Sequence, residues 1–234
     1  MSTKRAEIID IFSSIQGEGI FAGAKQVFVR FKACNMRCAY CDEPRDTTSR
    51  VISPLQAITE IRFLEETKGV HHSVSLTGGE PLLYSDFLAP FLKILKKEAK
   101  KTYLETNGTL PEELSKVVDL VDIIAMDFKL PSATGARSYW DEHLSFLKIA
   151  AKKNVFVKAV VTSHTKKEDI ERSISLIKSV DKTIPLILQP ATPVGPADEH
   201  VKSQMLMSFL DIAVQNSLES VRAIPQVHKI LGVK

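Results

Sequence analysis

The chain has 234 residues, 44% hydrophobic and 25% charged, with a net charge of +3. These values fit an ordinary globular protein that can bury a sizeable core, and the charge is too weak to argue for a nucleic-acid partner. There is no apolar run of membrane-spanning length and the N-terminus "MSTKRAEIID" is not signal-like, which predicts a cytoplasmic protein with reduced thiols and no membrane partner.

Strands and helices alternate along the chain. "QVFVRFKA" (26–33) is rich in β-branched and aromatic residues and predicts the first strand. A helix follows over 53–68, with Ser53 as N-cap and Pro54 at its first position. "HSVSLTGG" (72–79) is a strand. "LYSDFLAPFLKILKKEAK" (83–100) is helical, with Pro90 as a kink or boundary. Strands are predicted at 102–106, 121–129, 154–162 and 184–190. Helices are predicted at 111–118, 137–153, 166–180 and 199–216. Six strands alternating with helices predict an α/β protein of parallel units, an open sheet or an incomplete barrel. No repeat, linker or low-complexity segment divides residues 1–234, so one domain is expected.

The ends of these strands carry the chemistry. They read "LTGGEP", "LETNGT", "MDFKLPS" and "LQPATP", and the first strand runs into "KACNMRCAYCDEP". In parallel folds the ligand site lies at the carboxyl ends of the strands. That loop holds all three cysteines, Cys34, Cys38 and Cys41, as C-x3-C-x2-C. An odd count cannot all pair as disulfides. Structural zinc wants four ligands, and the loop contains no histidine. Three thiolates on an iron–sulfur cluster would leave one iron open to a small chelating molecule.

"CNMRCAYC", with Tyr40 before the last cysteine, resembles the signature of radical S-adenosylmethionine enzymes, and "TGGEP" (77–81) resembles their glycine-rich segment. The resemblance implies a partial (β/α)6 TIM-type barrel, the cluster loop after its first strand. It implies a [4Fe–4S] cluster on Cys34, Cys38 and Cys41, and S-adenosylmethionine on the fourth iron. "FSSIQGEGIFAGAKQVFVRFKACNMRCAYCD" and the ending "PQVHKILGVK" are similar to the 7-carboxy-7-deazaguanine synthase family. That family converts 6-carboxy-5,6,7,8-tetrahydropterin to 7-carboxy-7-deazaguanine with loss of ammonia, by a radical ring contraction. It acts as a carbon–nitrogen lyase in queuosine-type deazapurine biosynthesis.

Carried onto this chain, the resemblance implies that Tyr40, Cys41, Asp42, Gly78, Gly79, Glu80, Asn107, Asp127, Phe128, Lys129 and Gln189 bind S-adenosylmethionine. Ile15, Gln16, Gly17, Arg30, Thr77 and His228 would bind substrate, and Gln16, Glu18, Arg30, Thr77 and His228 would form the catalytic set. Amide and carboxylate groups suit a pterin's hydrogen-bonding edge, and the fork of Arg30 suits its carboxylate. The family commonly has a small hydroxyl residue where this chain has Glu43, the position implied for Mg2+. A carboxylate can also take a hard cation, or can pair with a neighbouring base instead. The implied partners are the pterin substrate, an electron donor such as a flavodoxin or ferredoxin, and a second copy in a homodimer. Two other readings fit fewer residues. A glycyl-radical-enzyme activase shares the cysteine spacing but would not call for "QGEG", Arg30 or "QVHK". A non-catalytic iron–sulfur or zinc scaffold would not call for "GGEP".

Overall fold

The computed structural model describes residues 4–43, 46–193 and 199–233. β1 (Ala6–Ile15) pairs antiparallel with β2 (Lys25–Phe31), and the short β3 (Arg50–Ile52) joins the other edge of β1. The chain continues through α1 (Pro54–Lys68), β4 (Ser73–Gly78), α2 (Ser85–Lys97), β5 (Thr102–Thr106), α3 (Pro111–Ser115) and β6 (Ile123–Phe128). It then runs through α4 (Pro131–Thr134), α5 (Trp140–Ala150), β7 (Asn154–Val161), α6 (Lys167–Val180) and β8 (Leu186–Pro190). α7 (Ser203–Gln215), β9 (Val221–Ala223) and α8 (Val227–Leu231) complete it. Among the described residues the strands form one sheet, ordered β3-β1-β2-β4-β5-β6-β7-β8-β9. All pairings from β2 to β9 are parallel. β3 and β9 remain edges, so the barrel is partial and unclosed. No helix among the described residues is long and apolar enough to cross a membrane.

All six expected strands are present as the parallel core, but β1, β3 and β9 were not expected. β1 is bulged between Ile8 and Asp10, which breaks the alternation that marks a strand. β3 and β9 have three residues each, too few to show a period. The cysteine loop therefore follows the first strand of the parallel set, but the second strand of the chain. Local chemistry explains other boundaries. Ser53 and Gln56 form a reciprocal capping box at the start of α1, with Pro54 just inside. Pro90, expected as a kink or boundary, lies within an uninterrupted α2. It is exposed, so water can solvate the carbonyl that loses its partner.

The main core fills the space between the sheet and the outer helices. β6 is buried along its whole length, as expected of a central parallel strand covered on both faces. A second, smaller core lies inside the curl of the sheet. Tyr103, Ile123, Ala125, Phe156 and Ile187 pack there with Ile20 and Phe21 from the turn after β1. This inner plug leaves the carboxyl ends of the strands open.

Candidate active site

A cavity of about 270 Å³ opens at those strand ends. The cysteine loop forms one side. Cys34, Cys38 and Cys41 are free thiols that all line the cavity. The loop is fixed by backbone bonds, Gly79 N–H to Phe31 O at 2.9 Å and Glu80 N–H to Ala33 O at 2.7 Å. Here the structure gives a physical reason for the "GG" pair. A Cβ on Gly78 would lie 2.1 Å from the Phe31 carbonyl oxygen, and one on Gly79 would lie 2.1 Å from that of Ala33. Gly78 also has φ +117°, a conformation side chains rarely adopt. The glycines thus let β4 approach the chain's own cysteine loop as well as any ligand.

Glu80 is fully buried behind the cavity wall and does not line it. Its carboxylate accepts from Leu82 N–H (3.0 Å), Thr106 Oγ1 (2.9 Å) and Asn107 N–H (2.8 Å), tying β4 to β5. Burial pushes its carboxyl up to about 7 against the pull of these donors. Asn107 lines the cavity, and its Nδ2 donates to Asn35 of the cysteine loop at 2.8 Å. Phe128 also lies behind the wall, stacked 4.9 Å from His143. Asp127, Lys129, Tyr40 and Gln189 line the cavity. Lys129 Nζ donates to Asp127 Oδ2 at 2.8 Å and lies 3.4 Å from the Tyr40 hydroxyl. Burial opposes the Lys129 charge, but Asp127 beside it holds its pKa well above the usual lysine range.

Ile15, Gln16, Gly17, Glu18, Arg30, Thr77 and His228 line the same cavity. Gln16 Nε2 donates to Gln26 Oε1 (3.0 Å) and Glu105 Oε1 (2.9 Å), while its own Oε1 accepts from Glu18 N–H (3.0 Å). Ser75 and Thr77 hydroxyls, each at 2.9 Å, also donate to Glu105. Glu105 is therefore the centre of this wall, and the sequence reading passed it over. It lies in the quoted "LETNGT", one residue before the strand end, where a strand's alternation can point a polar side chain inward.

Arg30 faces the cavity, stacked 5.4 Å over Phe12. Its Nη1 meets both carboxylate oxygens of Glu43, at 2.7 and 2.9 Å. Glu43 thus forms the ion pair that was one of its two expected roles. Burial raises the Glu43 pKa, and Arg30 opposes that rise. The C-terminal segment is helical over α8 and lashed to the site. Val227 N–H donates to Gly17 O at 2.8 Å, and Gln226 Nε2 donates to Glu18 (2.9 Å) and Asp42 (3.2 Å). Lys229 also bonds Asp42. His228 Nδ1 occupies the space where a Cβ on Gly17 would stand, 1.8 Å away, so a side chain there would have to displace His228.

Lys158 of β7 was not anticipated either. It forms an ion pair with Glu18 and lies 3.4 Å from Asp127. Burial alone would raise the Glu18 pKa, but the Lys158 ammonium and its hydrogen bonds bring it down to about 2.

The donor set suits a cluster. Three thiols face one cavity. Among the described residues, no three His, Cys, Asp or Glu side chains converge on a single-ion point. Three thiols on one cavity are the donor type that an iron–sulfur cluster takes.

The profile of the Radical SAM superfamily matches residues 28–177. The chain is 39% identical to a 7-carboxy-7-deazaguanine synthase of Geobacter sulfurreducens (strain ATCC 51573 / DSM 12127 / PCA), with 99% of each chain covered. It is 32% identical to one of Methanothermobacter thermautotrophicus (strain ATCC 29096 / DSM 1053 / JCM 10044 / NBRC 100330 / Delta H), covering 100% of both. Its fold is similar to the crystal structure of QueE from Escherichia coli, with a TM-score of 0.63 at 20% identity over 96% of this chain and 95% of that one. With cysteine loop, glycine pair and the wall centred on Glu105 converging on one cavity, the chain belongs to the 7-carboxy-7-deazaguanine synthase family of the radical S-adenosylmethionine superfamily.

Proposed function

We propose that the chain, working as one domain, converts 6-carboxy-5,6,7,8-tetrahydropterin to 7-carboxy-7-deazaguanine with loss of ammonia. In this reading it is a cytoplasmic carbon–nitrogen lyase of queuosine-type biosynthesis. One observation carries the reading. A single cavity brings together three thiols and a carboxylate–amide–hydroxyl wall with a guanidinium.

Each wall has a chemical task. A 2-amino-4-oxopyrimidine edge presents N–H donors beside an acceptor. Glu105, held by Gln16 and Thr77, offers the matching acceptors. Arg30 would take the substrate carboxylate after Glu43 swings away. His228, held against Gly17, would give a proton to the departing amine. Cys34, Cys38 and Cys41 would hold the [4Fe–4S] cluster. Asp127 and Gln189 offer buried oxygens with no hydrogen-bond partner, Oδ1 and Oε1, as acceptors for the hydroxyl and ammonium donors of S-adenosylmethionine. When bound, the cluster and S-adenosylmethionine supply the radical that starts the ring contraction. The chain's part is to orient the substrate and exclude water.

Mg2+ fits in part. Glu43, once free of Arg30, is one hard oxygen donor, and Mg2+ commonly takes one or two carboxylates with substrate oxygens and water. A flavodoxin or ferredoxin would deliver the electron, and a second copy of the chain would complete a homodimer. Anaerobic turnover of reconstituted protein with 6-carboxytetrahydropterin tests the reading. Formation of 7-carboxy-7-deazaguanine is expected. Reductive cleavage of S-adenosylmethionine with no pterin product would overturn it.

A further inference from the structure

A chain of alternating charge crosses the cavity floor: Glu18, Lys158, Asp127, Lys129. Lys158 pairs with Glu18 on the pterin side and lies 3.4 Å from Asp127 Oδ2 on the cofactor side. That same oxygen accepts from Lys129 at 2.8 Å. All four side chains are less than one-fifth exposed. Lys158 bonds both Glu18 and Asp127, residues of the two sets.

This position has a consequence for binding. Asp127 Oδ1 is buried without a partner, and a ligand donor that reached it would change how tightly Asp127 draws on the Lys158 ammonium. In a low-dielectric interior that change is felt at the other bond of the same ammonium, to Glu18. Gln226 of the C-terminal segment holds the other oxygen of Glu18, so the effect extends to the strap over the pterin wall. Any ligand on one side therefore meets a wall already biased by the ligand on the other.

We infer that Lys158 is a positioning residue that couples pterin binding to cofactor binding, through its ion pairs to Glu18 on one side and Asp127 on the other. The inference rests on the proposed function for the identity of the two ligands. Coupling between sites is reciprocal and commonly amounts to a factor of about 5–150 in affinity. A residue that only held the fold together would lower stability, or weaken each ligand separately, and would leave this factor unchanged.

The test uses reconstituted full-length protein with its cluster oxidised, so that nothing turns over. The probe is 6-carboxypterin, the aromatic analogue of the substrate, whose fluorescence reports binding. Its Kd is measured with and without saturating S-adenosylmethionine. The wild type is expected to show a ratio of at least about 5. In Lys158→Gln the ratio falls to within about twofold of one while bound iron is unchanged; Lys158→Arg keeps most of it. Should Lys158→Gln not fold, Glu18→Gln breaks the same pair from the other end and must show the same loss. An undiminished ratio in either glutamine variant, or none in the wild type, overturns the inference and leaves the proposed function standing. A wild type that binds no 6-carboxypterin at all, with or without S-adenosylmethionine, refutes the proposed function and this coupling with it.

Discussion

Arg30 and Glu43 satisfy each other inside the cavity, each about one-quarter to one-third exposed. In the proposed function an incoming substrate carboxylate would displace Glu43 from the guanidinium. Glu43→Gln removes the internal competitor, so 6-carboxypterin should bind up to about fivefold tighter in chelator, equivalent to ~1 kcal/mol for a partly exposed pair. Equal affinity for both proteins would show that Arg30 can hold both carboxylates at once. The cysteines give a coarser prediction. Each of Cys34→Ala, Cys38→Ala and Cys41→Ala should lower bound iron and abolish turnover, because two thiolates no longer fix the position of the open iron. Iron analysis and anaerobic turnover check this, and full activity in any one variant rejects the cluster assignment. The thiols were legible in the sequence because their spacing is unusual, and Arg30 only through the family resemblance of the segment around it. Glu105 and Lys158 were not, because a lone charged residue in a strand gives no sign of whether it faces inward.

At the scale of elements, α2 and α8 behave differently from their sequence appearance. α2 runs through Pro90 with that residue exposed, so the helix accepts the loss of one backbone bond. Pro90→Ala restores a donor and should stabilise the protein by about 1–3 kcal/mol, seen as a Tm higher by several degrees. An unchanged or lower Tm would mean that the proline's stiffening of the unfolded chain outweighs the bond. α8 is short, with its stability supplied by its ties to Gly17, Glu18 and Asp42. Gly17→Ala would place a methyl group on the His228 ring and push α8 away from Gly17. Pterin turnover should fall at least about tenfold, while bound iron and cleavage of S-adenosylmethionine persist. Normal turnover would show that His228 and its helix are dispensable. The sequence could not announce α8 as a helix, because five residues are too few for periodicity to show.

At the scale of the whole molecule, Glu18 and Glu80 respond to pH with opposite signs. Glu18 is depressed to about 2, so its contribution to stability is full above the ordinary carboxyl range and is lost as pH falls from about 4.5 toward 2. Glu80 is raised to about 7, so its contribution is full below about 4.5 and is lost as pH rises through 7. Urea unfolding at pH 5 and pH 8 should show the wild type losing up to about 3 kcal/mol more than Glu80→Gln across that interval. Parallel losses would mean that Glu80 is already ionised in the fold at pH 5. By itself the sequence determined the parallel strand set, the cysteine loop at its carboxyl end and the residue types of the site. Those depend on local periodicity, turn chemistry and spacing, all of which are written within a few residues. Tertiary structure alone decided the rest: that a bulged β1 precedes the parallel set, that Glu80 and Phe128 stand behind the wall, and that Glu18 of the β1 turn meets Lys158 of β7. Those two residues are 140 positions apart. Their pairing depends on the curl of the sheet, which no local stretch of sequence encodes.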